Sequence, residues 1–271
     1  MSLEKPAGHA EVVVDDLTKT YSSRRRGGVE AIAGVSLRAD RGEFVSILGP
    51  SGCGKSTLLY IIGGFIEATT GAVRVRDEPV IAPARDRGIV FQEFALFPWL
   101  SVRRNVEYGL RGRSLSRGER REIVDSLLDR VKLAGMGDLY PKELSGGMKQ
   151  RTAVARMLAA EPSVMLMDEP LGALDAQTRA LFQADLQELW QKERRTVLFV
   201  THSIDEAIYL SDRIYVFSHR PARVKAIFEV KIPRPRDRAT IVESPRYGQL
   251  FSTIWDTLSE DETKTVEAGQ D

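Results

Sequence analysis

The chain is short of cysteine, histidine and long apolar runs. Of 271 residues one is cysteine, Cys53, and three are histidine. A single thiol excludes an intrachain disulfide and a cysteine-rich metal site, and it fits a reducing compartment. No apolar stretch approaches the roughly 20 residues that a helix needs to cross a bilayer. The opening segment, Met1 to Glu11, is polar and lacks the apolar core of a signal peptide. A cytosolic kind of protein, held to a membrane only through something else, is therefore expected. Excess charge is missing too: 39 Lys and Arg against 38 Asp and Glu leave a formal net charge of +1. That balance gives no general pull toward nucleic acid, and no nucleic-acid partner is expected. The basic cluster Arg24-Arg25-Arg26 stands in a Ser/Gly-rich stretch and reads as a solvated loop rather than an anion-binding patch.

What is present begins with Gly49-Pro50-Ser51-Gly52-Cys53-Gly54-Lys55-Ser56-Thr57. This segment matches the glycine-rich phosphate loop in each defining position. The apolar run Phe44 to Leu48 before it reads as a buried strand, and Ser56 to Ile62 after it as a helix. Glycines let backbone N–H groups converge on phosphate oxygens, and the helix N-terminus adds a favourable dipole. Lys55 reaches the outer phosphates and the Ser56 hydroxyl faces Mg²⁺. A nucleoside triphosphate is the expected ligand; the plain alternative is a glycine-rich turn that binds nothing. Cys53 also has two readings. It is either a thiol activated by the helix dipole and Lys55, or a small side chain filling a tight turn.

Further motifs follow in order. Gln92 closes the strand-like Ile89 to Phe91; Leu144-Ser145-Gly146-Gly147-Met148-Lys149-Gln150-Arg151 opens a helix. Val164 to Met167 is an apolar strand ending in Asp168-Glu169; Leu174-Asp175 comes next, and His202 follows the strand Thr196 to Val200. In this order and spacing the chain resembles the ATP-binding cassette (ABC) family over about Val12 to Phe217: phosphate loop, glutamine loop, signature segment, acidic strand, aspartate loop and histidine loop. The family signature usually has glutamine where this chain has Met148, whose thioether donates no hydrogen bond. A ribose contact through a side-chain amide is therefore not carried over to that position. The anion-binding role of Ser145, Gly146 and Gly147 is left intact, and Ser145 also suits a helix cap.

The resemblance implies ATP and Mg²⁺ as cofactors. Ser56, Gln92 and Asp168 would hold the metal, Glu169 would polarise the attacking water with Gln92 offering its oxygen to it, and His202 would contact the γ-phosphate. Asp175 would join the ATP site from the aspartate loop. Tyr21 would stack on adenine, against the alternative of a strand-edge tyrosine. The Asp168-Glu169 pair could instead cap a turn, Gln92 could be an ordinary strand-end residue, and His202 a structural hydrogen-bonder. His9 and His219 have no such context and read as surface residues.

Each motif occurs once, and there is no internal repeat. The resemblance then implies a homodimer in which Ser145 and Gly147 of one copy complete the site of the other. Soluble translation cassettes usually carry two copies in one chain. Chromosome and repair ATPases split the cassette with a long coiled coil, and non-hydrolysing cassettes lack Glu169 or His202; none of these fits. The expected protein is an importer ATPase acting on separate transmembrane permease subunits from the cytoplasmic face of the inner membrane, with a solute-binding protein involved indirectly. Met148, the turn Ser218 to Arg223 and Ile232-Pro233-Arg234-Pro235-Arg236 resemble the nitrate, sulfonate and taurine importers.

The expected fold is α/β: a P-loop NTPase core with a mainly parallel sheet, an antiparallel β edge and an inserted helical subdomain. Short strands are expected at Val12 to Leu17 and Val35 to Arg38. Residues 1–230 form the ATPase domain, with the helical insertion at about 93–160. Residues 231–271 form an extension with one helix from about Ala239 to Leu258 and a disordered polar end. Phe94 to Leu100 is too apolar for an ordinary loop and either packs the subdomain or lines a docking groove.

Overall fold

Strands and helices alternate along the chain where the apolar pattern changes period. The computed structural model describes residues 10–22 and 28–267. His9, the cluster Arg24 to Arg26 and the last four residues lie outside them. The elements are β1 (Ala10–Tyr21), β2 (Val29–Asp40), β3 (Phe44–Leu48), α1 (Lys55–Ile62), β4 (Thr70–Val75), β5 (Glu78–Pro79), β6 (Arg87–Val90), α2 (Val102–Tyr108) and α3 (Arg117–Arg130). They continue with α4 (Gly146–Ala159), β7 (Val164–Asp168), α5 (Ala176–Glu193), β8 (Thr196–Thr201), α6 (Ile204–Leu210), β9 (Arg213–Phe217), β10 (Val224–Glu229), α7 (Arg238–Ile241) and α8 (Pro245–Glu267). They fall into two compact units, Met1–Pro83 with Thr196–Asp271, and Ala84–Arg195.

The first unit holds an antiparallel sheet in the order β2-β1-β4-β5. β1 and β2 are twelve residues each, longer than the apolar runs suggest, because their polar ends continue the pairing out to Tyr21 and Val29. In β2 the inward residues Val35, Leu37 and Ala39 alternate with exposed Ser36 and Arg38, the pattern of a sheet buried on one face. In the same unit β3 runs parallel to both β8 and β9, and β10 closes the edge antiparallel to β9. Every residue of β3 and β8 is buried, as a central parallel strand covered on both faces requires. The register sets Leu48 opposite Thr201, so the residues that follow, Gly49 and His202, leave the sheet at the same level.

The second unit pairs β6 with β7 in parallel and packs α2 to α5 around them. Val90 lies opposite Met167, which puts Phe91-Gln92 just past β6 at the end where Asp168 closes β7. The helices begin at side-chain caps. Ser101 caps α2, and Ser116 with Glu119 forms a full capping box on α3. Asp185 of α5 ties the helices together by accepting from Lys132 at 2.5 Å and by an ion pair with Arg151 on α4.

The C-terminal region differs from the single helix expected between Ala239 and Leu258, and it is helical rather than disordered from Ser259 to Glu267, the last residue described. Asp237 caps the short α7, accepting from the backbone of Ala239 at 2.8 Å and Thr240 at 3.1 Å. The chain breaks over 242–244, because Pro245 disfavours a helical residue before it and itself suits a first helical turn. α8 then runs on to Glu267. Its Ser, Asp, Glu, Thr and Lys residues are compatible with helix once an apolar face is anchored, and Ile254 is fully buried.

Candidate functional site

The phosphate loop of the first unit is shaped by close backbone packing. A Cβ at Gly54 would fall 2.6 Å from the Ala31 carbonyl oxygen, and φ there is +120°, so only glycine fits. Ala222 backs the same residue and pairs with Ala31 and Ala33 through its own N–H and C=O at 2.9 and 3.0 Å. Residues 218–223, picked out by resemblance alone, thus brace the loop from behind. Ser218 Oγ accepts from Arg223 N at 3.0 Å and donates to the carbonyls of His219 and Pro221.

Helix α1 starts at Gly54 with no side-chain cap. The backbone N–H groups of its first turn lie at the positive end of the helix dipole, where anion binding at a helix N-terminus takes place. Lys55 is buried at 3% exposure and donates to the carbonyls of Gly49 (2.8 Å) and Pro50 (2.7 Å), so its ammonium lies over the loop. Ser51 and Gly52 are exposed, and Ser56 and Thr57 half-buried. The Tyr21 hydroxyl is 3.4 Å from Thr57 Oγ1 and Lys19 stands 5.1 Å over its ring, which brings Tyr21 to the end of the loop. The loop thus supplies a cation, a hydroxyl and a helix N-terminus in one place, a set that fits a polyphosphate and its Mg²⁺.

Cys53 is 1% exposed, and its sulfur is 3.4 Å from where a Gly49 Cβ would stand. It fills the turn, and the activated-thiol alternative has no accessible sulfur to act through.

His202 is exposed at the end of β8, on a tightly braced segment. The buried Thr201 hydroxyl donates to Glu206 at 2.6 Å and accepts from Ser203 N at 3.0 Å, while Ser203 Oγ caps α6 through Glu206 N at 3.3 Å. The Ser203-x-x-Glu206 spacing is that of a capping box and was a signal for this brace.

In the second unit Asp168 ends β7 at 1% exposure. Glu169 follows in a left-handed conformation, φ 41°, so the chain turns sharply at the acidic pair. Asp175 caps α5: its carboxylate accepts from Thr178 N at 3.0 Å, and hydrogen bonds from Thr178 hold its pKa below the ordinary range. Ser145 caps α4 through Met148 N at 3.3 Å and remains exposed, so the cap and an exposed hydroxyl coexist. A Cβ at Gly147 would fall 2.6 Å from Thr178 Cγ2, and one at Gly146 3.3 Å from Leu174. The two glycines thus let the signature helix start against the aspartate loop.

Gln92 is exposed just past β6, at the start of a turn in which Phe94 and Ala95 both have positive φ. Arg156 of α4 fastens that turn, donating to Ala95 O at 2.7 Å and Phe94 O at 3.3 Å. Beyond it, the fully buried Asn105 accepts from Phe97 N (2.9 Å) and donates to the carbonyls of Phe97, Leu100 and Ser101. Phe97 packs on Tyr108 with ring centroids 4.6 Å apart, and Trp99 is left 71% exposed.

Sequence reasoning did not anticipate Arg236. It is 4% exposed, and its guanidinium donates to the carbonyls of Ile208 (2.9 Å), Tyr209 (3.0 Å) and Ser211 (2.7 Å) at the C-terminus of α6, and to Val230 and Ile232. Burial, with repulsion from Arg234, pushes its pKa down to about 10. Arg234 beside it bonds Asp212 at 2.9 Å and Leu210 O at 2.5 Å. The proline-arginine segment is a clamp on the helix that follows His202.

A phosphate loop on a parallel strand, an acidic strand end and a serine-glycine helix define a P-loop ATPase. The family model for ABC transporters matches residues 32–172, and the chain belongs to that family. It is 42% identical to the nitrate import ATP-binding protein of Synechococcus elongatus, over 90% of each chain. It is 40% identical to the aliphatic sulfonates import ATP-binding protein of Bacillus cereus, over 89% of this chain and 98% of that one. A dimeric ATP-binding cassette solved in a post-hydrolysis state with ADP and Pi superposes with a TM-score of 0.73 at 34% identity, covering 82% of this chain and all of that one. The protein is an ATP-binding subunit of the ABC type and an ATPase, with the α/β P-loop fold that its sequence implies.

Proposed function

We propose that the chain powers import of a small solute, such as nitrate, a sulfonate or taurine, through separate permease subunits, acting from the cytoplasmic side of the membrane. The observation that carries this reading is the ordered set of cassette motifs, each present once, in a chain similar over nine-tenths of its length to two import ATPases. Among the described residues no helix is long and apolar enough to cross a membrane. The two relatives carry different cargo names at nearly equal identity, and the cargo is therefore assigned as a class of small solutes.

In this reading Lys55 and the N–H groups from Gly49 to Thr57 bind the phosphates of ATP. Ser56, Gln92 and Asp168 are the residues that would hold Mg²⁺, which when bound neutralises charge on the β- and γ-phosphates. Glu169 takes the proton of the attacking water, His202 contacts the γ-phosphate, and Tyr21 lies against adenine. One copy supplies half of each site. Ser145, Gly146, Gly147 and Asp175 of a second copy close over the ATP of the first, and hydrolysis lets the pair open. Residues 1–230 make up the ATPase domain and 231–271 its extension. The turn from Phe94 to Leu100, with Trp99 exposed, receives the permease.

The test is a pair of variants. Lys55→Ala is expected to weaken ATP binding. Glu169→Gln is expected to keep binding, lower turnover by on the order of 10²–10⁴, and run as a dimer on gel filtration with Mg-ATP. Unchanged hydrolysis by Glu169→Gln would remove the assigned base.

A further inference from the structure

A cavity of about 300 Å³ opens beside the phosphate loop. Gly49, Pro50 and His202 form one side of it, and Phe251, Trp255 and Leu258 of α8 the other. The helix is firmly held there. Ile254 is fully buried, Lys225 Nζ donates to Thr257 O at 2.5 Å, and the Tyr247 hydroxyl donates to Asp205 in the first turn of α6. Burial and the Asp205 carboxylate both raise the Tyr247 pKa, so it stays a neutral donor.

Tyr247, Phe251 and Trp255 are spaced four residues apart and stack along the helix. Their centroids are 6.3 and then 6.4 Å apart, with interplanar angles of 28° and 9°. The row starts buried at Tyr247, 9% exposed, and ends at Trp255, 57% exposed. A lone surface tryptophan needs no explanation. Here a row of rings carries one out to the rim of a cavity whose opposite wall is the phosphate loop. Tryptophan in that position suits a protein contact, since it brings a large rigid apolar area at little entropic cost.

We propose that this aromatic edge of α8 is part of the face on which a second copy of the chain docks, with Trp255 as its anchor. The proposal rests on the reading that two copies close over ATP, which brings a partner to the phosphate loop. Pro50, His202 and Trp255 border one cavity, so that contact surface continues from the loop onto α8 without a break. Charge argues against a membrane as the occupant. From Tyr247 to Glu260 the helix has no Lys or Arg and carries Asp256 and Glu260, whereas a helix lying on anionic lipid is basic on its polar face.

The experiment is sedimentation of Glu169→Gln with Mg-ATP, alone and combined with Trp255→Glu or Trp255→Phe. Trp255 is exposed, and circular dichroism would show the fold retained. The Trp255→Glu combination is expected to raise the dimer dissociation constant by about 30-fold or more, the scale of an interface anchor, with ATP affinity of the monomer unaltered and Trp255→Phe intermediate. A dimer constant within about twofold of that of Glu169→Gln alone would overturn the proposal while leaving the dimer reading standing. A Glu169→Gln protein that stays monomeric would overturn both.

Discussion

Replacing Arg236 with methionine tests whether the clamp on α6 stabilises the unit that carries the histidine loop. Methionine replaces the aliphatic stem of the side chain, is shorter by the guanidinium, and removes all its donors. The carbonyls of Ile208, Tyr209 and Ser211 would then lose their donor in a site where the side chain above them is 4% exposed. These are end-of-helix carbonyls, which have no partner within the helix. Leaving a buried acceptor unmet costs about 1–3 kcal/mol. Three such losses set an upper figure near ~9 kcal/mol. Against this stands the cost of burying a cation, visible in the depressed pKa of Arg236, which methionine removes. Water reaching part of the gap reduces the loss further, and a net destabilisation of about 2–5 kcal/mol is expected. Urea unfolding followed by circular dichroism measures it, compared at equal slope so that the midpoint shift reports stability. Arg236→Lys should recover a fraction, since one ammonium can satisfy some of the carbonyls. A loss below about 1 kcal/mol for Arg236→Met would refute the clamp, because it would mean that the carbonyls gain nothing from the guanidinium.

Two other outcomes are expected. Cys53, 1% exposed, should react with maleimide far more slowly in native protein than in urea, and saturating Mg-ATP should change the native rate little. Rapid native labelling would contradict the packing of the loop. Trp99→Glu should leave ATPase activity of the isolated subunit intact and abolish uptake in vesicles containing the permease. Unchanged uptake would show that the turn at Phe94 to Leu100 does not receive it.

The motifs were legible in the sequence because their spacing is tied to backbone shape. A strand of five residues before Gly49, four of them apolar, reads as a central strand, and Phe44–Leu48 is buried throughout. Ser145 announced a helix start by residue type and caps α4; Asp175, read only as part of the aspartate loop, also caps its helix. What stayed hidden depends on contacts between residues far apart in the chain. Arg236 reads as one more charged residue near prolines until the end of α6 is seen beneath it. The polar end of α8 looks like a tail, because local composition does not show that Ile254 and Tyr247 anchor it elsewhere. Thr178 gives no hint that it sets the size limit at Gly147, thirty-one positions earlier in the sequence.

Asn105 has a consequence for how this subunit meets a partner. A surface turn carrying phenylalanine, leucine and tryptophan would, if loose, sample many shapes. Anything docking on it would pay to freeze them, at about 1–2 kcal/mol of backbone entropy per residue. One buried amide accepts from Phe97 N and donates to the carbonyls of Phe97, Leu100 and Ser101, so that ordering is completed when the chain folds. The exposed ring of Trp99 is thus presented on a preorganised platform. If the permease docks there, as proposed, it would lose little to induced fit, because the turn is already ordered.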